Sequence, residues 1–199
     1  RRGRKSDSSA MILRTANHPS RSRRVHLAGV EVRFWRRGDT EAINRLYNDP
    51  AVRPGAAARG YVPRTTDQWA WEYAATSSGD PAYVVATHEG RIIGTQGYIP
   101  IEFLLDGRRI LTGKDEDTLV HPDYRGMGLL DEMYKLLFRR AKQEGVKVLW
   151  GFTNTAVRPL LRNGYRSIGR FEAMRARLPS ARADFHHPCF ICREMLLFY

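Results

Sequence analysis

The chain has 199 residues, 42% of them hydrophobic, two cysteines and a formal net charge of +12. That length suits one domain with a sizeable core. Two cysteines are too few for a disulfide scaffold, so a reduced, cytoplasmic setting is expected. No run of 18 apolar residues marks a membrane-spanning helix, and no apolar segment of the signal-peptide kind follows the basic start.

The charge is uneven. Residues 1–24 carry eight Lys or Arg against one acid, Asp7, so +7 of the total lies there. Residues 1–27, rich in Arg and Ser and without periodicity, read as a disordered basic leader. No aromatics interleave its charges, which argues against a nucleic-acid-binding arm. The remaining +5 fits a domain that binds a ligand carrying several phosphates.

Residues 30–35 alternate as a strand. Asp39 and Thr40 offer N-cap oxygens to a short helix with Ile43, Leu46 and Tyr47 on one face, ending near Asn48-Asp49-Pro50. Residues 51–65 read as a loop. Thr66 and Asp67 can cap a second helix bearing Trp69, Trp71, Tyr73 and Ala74. Residues 83–86 and 91–99 flank a glycine turn as a hairpin. Asp106-Gly107 marks a second hairpin, whose return strand runs to about His121, where Pro122 stops it. Leu129, Leu130, Met133, Leu136, Leu137 and Ala141 recur at helical spacing, with Gly145 as the stop. A buried strand at 146–152, a short helix at 155–162 and a bent or interrupted strand region at 165–178 complete the pattern. The order is mixed α+β, with one parallel β-α-β crossover.

The segment 119–130, L-V-H-P-D-Y-R-G-M-G-L-L, is the most informative. A strand ends, a tight turn follows and a strong helix begins. Helix N-termini leave backbone N–H groups unpaired, and their partial positive charge suits a phosphate. Gly126 and Gly128 let the backbone approach an anion, and Arg125 adds a full charge. A dinucleotide fingerprint fits less well, because Asp131 stands where a third Gly or Ala belongs, and no Gly-Lys-Ser/Thr completes a Walker loop.

This segment resembles the pyrophosphate loop of the GNAT N-acetyltransferase family, Gln/Arg-x-x-Gly-x-Gly/Ala. Arg125 and Gly128 match; Leu130 departs where Gly or Ala is usual, although branches reading R-G-x-G-L-F carry a larger residue. Leu161-Arg162-Asn163-Gly164-Tyr165 is similar to the family's Lys/Arg-x-Gly-Phe/Tyr ending. The resemblance covers roughly residues 29–178. It implies a central mixed, mostly antiparallel sheet flanked by helices, with a β-α-β acyl-CoA-binding core. The domain would span 28–178, leaving 179–199 as an extension that is either a terminal strand or non-native sequence. Acetyl-CoA is the implied co-substrate, held by Leu119, Val120, Arg125, Gly126, Met127, Gly128, Leu129 and Leu130. Residues 151–156 resemble the segment where GNAT strands splay, and Asn154 either bonds the pantetheine arm or caps the next helix. No metal is expected: Cys189 and Cys192 after His186-His187 form one C-x-x-C without a second half.

The same resemblance implies that a backbone N–H near Leu119 or Val120 polarises the thioester carbonyl. A base must take the amine proton, directly or through water. Asp115, Glu116 and Asp117 lie just upstream, with His121 at the strand end. Alternation puts Asp115 and Asp117 on one face and Glu116 on the other, unless a bulge breaks the parity. Glu116 is the first choice as base and Asp115 the second; the other reading is an acidic strand edge that merely attracts a cationic substrate. The family's usual acid, a tyrosine four residues before the Gly of the Gly-Phe pair, is replaced by Leu160. Two readings follow: an N-acyltransferase acting on a primary amine of a small molecule or peptide, or an acyl-CoA-binding sensor without turnover. Trp69, Trp71 and Tyr98 either line the acceptor pocket or pack the core. Monomer and homodimer both fit the sequence.

Overall fold

The structure, a computed structural model, describes residues 28–55, 61–76, 80–153, 156–169 and 194–198. The basic leader, Asn154, Cys189 and Cys192 therefore lie outside the described residues. β1 (Val30–Phe34) leads to α1 (Thr40–Asn48), then to α2 (Thr66–Trp69), which continues as a π-helical turn at Ala70–Ala74. β2 (Tyr83–His88), β3 (Arg91–Leu105) and β4 (Arg108–Val120) follow as a meander. α3 (Leu129–Gln143), β5 (Val148–Thr153), α4 (Val157–Arg162), β6 (Arg166–Gly169) and β7 (Glu194–Phe198) complete the order.

Local chemistry explains the boundaries, with two changes from the sequence reading. Asp39 holds the N-cap position of α1 but makes no side-chain cap bond. Its carboxylate turns back to accept from Arg33 at 2.7 and 3.0 Å and from the Arg36 N–H at 2.8 Å. α2 is capped by Thr65, not by Thr66 or Asp67. The Thr65 hydroxyl accepts from the Gln68 N–H, and the Gln68 side chain accepts from the Thr65 N–H, a reciprocal capping box. α3 buries Leu129, Met133, Tyr134, Leu137 and Ala141 along one stripe. It ends where Gly145 adopts φ 75° and the Val146 N–H closes back on Ala141 O at 2.9 Å, a Schellman motif.

The sheet runs β1-β2-β3-β4-β5-β7-β6. All neighbours are antiparallel except β4 and β5, the parallel pair of the β4-α3-β5 crossover. β7 lies inside the sheet, between β5 and β6, so the fold draws on residues beyond 178. The strand read at 165–178 is β6 at Arg166–Gly169 among the described residues.

Each sheet face carries its own core, because alternation along β2 sends Tyr83 and Val85 one way and Val84 and Ala86 the other. On one face Ile43, Leu46, Trp69 and Tyr73 pack against Tyr83 and Val85. On the other, Met133, Tyr134 and Leu137 of α3 pack with Val84, Ala86, Tyr98, Leu149, Leu160 and Tyr165. Gly97 permits the first arrangement: a Cβ there would stand 2.5 Å from the Tyr83 ring. No helix among the described residues is long and apolar enough to cross a membrane.

Candidate active site

The site is organised by a fork. β4 and β5 pair from Thr112↔Val148 to Lys114↔Trp150 and then part. β4 continues to Val120 along β3, and β5 continues to Thr153 along β7. Below the fork the Trp150 indole N–H donates to Thr112 Oγ1 at 3.1 Å. At its neck Gly151 lies close to Asp115; a Cβ there would meet Asp115 Cβ and O at 3.2 Å. Beyond Lys114, β4 has no described strand on its β5 side. Its backbone from Asp115 to Val120, including Leu119, borders an open wedge.

The far end of β4 delivers the chain to the glycine loop. The Arg125 side chain donates from Nε to Val120 O at 3.0 Å, tying the loop to the strand end. Tyr124 meets His88 Nδ1 at 2.9 Å, tying the loop to β2. Gly126 and Gly128 take φ 78° and 77°, and a Cβ on either would meet no atom within 4 Å. Gly128 is the N-cap of α3, and the Glu132 N–H is bonded to Gly128 O. The amides just ahead of Glu132 have no intrahelical acceptor, as at any helix start. Asp131 does not oppose an anion unaided, because its carboxylate accepts from Asn163 at 2.8 Å and Arg162 at 3.3 Å. Met127, Leu129 and Leu130 pack toward the α3 core, which fixes the loop's inner side. An open, glycine-bounded helix N-terminus with an exposed arginine fits a pyrophosphate.

The three acids fall on two faces, and not as simple alternation assigns them. Between Thr95 and Gly97 the β3–β4 register shifts, and Asp117 takes φ 54°. This bulge gives β4 an extra residue and turns Asp117 to the face of Glu116. The Asp117 carboxylate accepts from Arg64 Nη1 at 2.6 Å and from the Tyr83 hydroxyl at 2.7 Å, and the Thr95 hydroxyl donates to its carbonyl at 2.8 Å. The Arg64 and Asp117 side chains are 5% and 6% exposed. Glu72 stands beside them, 3.3 Å from Arg64. Burial and the charges of Asp117 and Glu116 raise the Glu72 pKa. Glu116 is part-exposed and paired with Lys114. A surface cleft of about 620 Å3, lined in part by Asn44, Asn48, Asp49, Arg64 and Thr66, opens on this side.

Asp115 faces the other way, into the α3 core. Its Oδ2 accepts from the Tyr134 hydroxyl at 3.1 Å and from the Tyr165 hydroxyl. Its Oδ1 is buried and has no hydrogen-bond partner among the described residues. Burial pushes its pKa up to about 7, against the pull of the two tyrosines.

The aromatic candidates do not come together. Trp69 and Tyr98 are each 1% exposed, on opposite faces of the sheet. Trp69 stacks on Trp35 and Tyr73, and the Tyr98 hydroxyl bonds Glu144 at the end of α3. Both are packing residues, because helical and strand periodicity point them into separate cores. Trp71 alone projects outward, 71% exposed and next to Glu72. Sequence reasoning missed Arg64, Glu72 and Tyr134, and left the Tyr165 hydroxyl without a place. Arg64 sat in a stretch read as loop, and only an acid on the facing strand gives the Tyr134 and Tyr165 hydroxyls meaning. Among the described residues no group of three or more His, Cys, Asp or Glu is placed to hold a metal.

A parallel pair that forks ahead of a glycine-bounded helix N-terminus defines a GNAT-type fold. The chain belongs to the GNAT acetyltransferase family: residues 31–169 match the family described as acetyltransferase (GNAT) domain. No curated protein sequence matches it. Solved structures share the fold. A ribosomal-protein-alanine N-acetyltransferase from Brucella melitensis superposes with a TM-score of 0.57 at 20% identity, over 84% of this chain and 96% of that one. A GNAT-family acetyltransferase from Staphylococcus aureus gives 0.56 at 14% identity, over 85% and 98%. N-acetylglutamate synthase from Neisseria gonorrhoeae, solved with coenzyme A and N-acetyl-glutamate, gives 0.53 at 15% identity, over 85% of this chain and 34% of that one.

Proposed function

We propose that the protein moves an acetyl group from acetyl-CoA to a primary amine by direct transfer. The observation that carries this reading is the β4–β5 fork opening beside the loop Arg125 to Leu130. Acetyl-CoA supplies an activated thioester. The amides at the start of α3, with Gly126, Met127, Gly128, Leu129 and the Arg125 guanidinium, hold its pyrophosphate. A backbone N–H near Leu119 or Val120, on the unpaired side of β4, polarises the thioester carbonyl, with Leu130 packing behind the loop and Asn154 as the hydrogen-bonding partner that the family resemblance implies for the pantetheine arm. Glu116, part-exposed and paired with Lys114, takes the amine proton directly or through water. The carboxylates of Glu72, Asp117 and Glu116, against Arg64 and Lys114, favour a cationic acceptor, with exposed Trp71 at its edge. Such acceptors include amino sugars, polyamines and lysine side chains. A cytoplasmic setting and a monomer or homodimer complete the reading.

Leu160, apolar and buried in the α3 core, motivates a second reading in which the site binds acyl-CoA without turnover. Calorimetric titration of acetyl-CoA and free CoA into the wild type and Arg125→Glu separates these. Micromolar affinity that drops at least roughly tenfold in Arg125→Glu is expected from the loss of one phosphate-pairing charge. Thiol release with an amine panel then divides enzyme from sensor. A wild type that binds neither ligand overturns both readings.

A further inference from the structure

If the protein transfers acyl groups, as proposed above, the amine must approach from the sheet face that carries Glu116. Packing of the α1–α2 layer on this face reaches Ile99 of β3. Past Ile99, β3 and β4 pair as Ile101↔Thr112 and Phe103↔Ile110, and β4 pairs with β5 from Thr112↔Val148 to Lys114↔Trp150. Partners in register share a face, as do residues two apart along a strand. Thr112, Lys114 and Glu116 of β4 therefore lie on one side with Phe103 of β3 and with Trp150 and Phe152 of β5. Side-chain contacts bear this out: the Trp150 indole N–H donates to Thr112 Oγ1 at 3.1 Å, and Lys114 pairs with Glu116.

The three aromatic residues form one continuous shelf. The Phe103 and Trp150 ring centres are 5.3 Å apart, and Trp150 meets Phe152 edge-on at 5.8 Å. Phe103 and Phe152 are 41% and 37% exposed, far from sealed. The shelf runs to the mouth of the fork. Lys114↔Trp150 is the last β4–β5 pair, and the next residues on this face are Glu116 on one arm and Phe152 on the other. An amine at Glu116 thus has the shelf as its β5-side wall. The shelf is apolar in chemistry too. The Trp150 N–H is spent on Thr112, and the Thr112 hydroxyl is spent on Ile101 O at 2.8 Å. Sugar hydroxyls laid there would lose water without gaining a partner, whereas a ring or branched alkyl group gains contact area. At the fork the chemistry changes: Glu116 is part-exposed, and Glu72 stands close enough to feel its charge, so an ammonium is drawn to that end.

We propose that the shelf of Phe103, Trp150 and Phe152 holds the body of the acceptor, so that the acceptor is an amphipathic primary amine: one ammonium joined to an aromatic or branched apolar group. Its nitrogen docks at Glu116 and its apolar group lies on Trp150. The carboxylates of Glu116 and Glu72 select the charge, and the rings select what carries it. Within the cationic acceptors this favours apolar amines over amino sugars.

The test measures thiol release from acetyl-CoA with phenethylamine, ethylamine and glucosamine, using the full chain as wild type, Phe103→Ser and Trp150→Leu. Phe103 is exposed, so its replacement probes the shelf at little cost to folding; melting temperature and calorimetric CoA binding check both variants. In the wild type, kcat/KM for phenethylamine should exceed that for ethylamine and for glucosamine by at least about tenfold, chiefly through KM. Each variant should shrink the phenethylamine-to-ethylamine ratio by at least about threefold. A merely structural loss lowers both amines together and leaves the ratio alone. A ratio unmoved in both variants, or a wild type that prefers glucosamine, overturns the proposal and leaves the transferase reading standing. If CoA binds and no amine turns over, calorimetry of phenethylamine with the CoA complex decides: binding that weakens in Trp150→Leu supports the shelf, and no binding overturns it. A wild-type dimer in light scattering that Phe103→Ser dissociates, with the ratio unmoved, assigns the face to a second copy of the chain and overturns it as well. No CoA binding by the wild type removes the transferase reading and the proposal with it.

Discussion

Asp117 holds a backbone conformation that most side chains avoid, and three neighbours hold it there. At φ 54° it carries a modest strain that aspartate tolerates better than branched residues. The Thr95 hydroxyl takes its carbonyl, and Arg64 and Tyr83 take its carboxylate. The Arg64 guanidinium also packs 3.6 Å from the Tyr47 ring centre and donates from Nε to Asn44 at 2.8 Å. Arg64→Leu keeps bulk but leaves Asp117 buried without its cation. Unfolding free energy from urea melts is expected to drop by about 3–5 kcal/mol. The double variant Arg64→Leu/Asp117→Leu should cost less than the single one, because the buried Asp117 charge is removed with its cation and the partner left behind, Glu72, is part-exposed. Three consecutive acids were legible in the sequence as a polar stretch near the chemistry. Their sidedness was not, since counting by twos fails at a bulge, and the bulge's partner, Arg64, comes from a loop 53 residues upstream.

The element that carried the most information is α3 with its leading loop. Its apolar stripe, its first-turn acids and its C-terminal glycine all lie within a few residues of what they determine, so sequence alone places it closely. The same locality predicts its weak point. Gly128, in the left-handed region as N-cap, meets open space, so a substitution there strains backbone without a steric clash. Gly128→Val is expected to cost about 1–2 kcal/mol of stability and to weaken acetyl-CoA affinity more than Gly90→Ala, a positive-φ control in the β2–β3 turn. Paired melts and titrations of the two variants check this. α2 shows where locality misleads. Thr65, Thr66 and Asp67 all carry capping oxygens, and the choice among them was made by Gln68, whose side chain reaches back to Thr65. Trp69 and Tyr98 show a further limit. Periodicity tells which residues share a face, but not which core that face meets once two layers flank one sheet.

For the whole molecule, the sheet order was the part least visible beforehand. The β4-α3-β5 crossover follows from chain order and its handedness rule. The position of β7 does not, because a five-residue apolar strand pairs wherever an edge is open. It pairs with β5 from Leu149↔Phe198 to Thr153↔Glu194, and with β6 on its other side. It therefore builds the outer arm of the fork. Deleting residues 194–199 would strip both strands of their partner and expose two edges. A lower melting temperature and concentration-dependent aggregation are expected, with acetyl-CoA affinity falling alongside. An unchanged melting temperature would show that β7 adds nothing to the arm.

That placement also sets a timetable. β7 is the last described strand to leave the ribosome, yet it must slot between two strands made before it. Until it arrives, β6 has no described neighbour and β5 keeps a bare flank. The N-terminal half, a meander of adjacent strands, can condense while synthesis continues, but the ligand cleft waits for contacts of long sequence separation. Nascent chains thus pass through a stage in which most of the sheet exists and the cleft is half-walled, and a chaperone that shields β5 at that stage would govern the yield of competent protein.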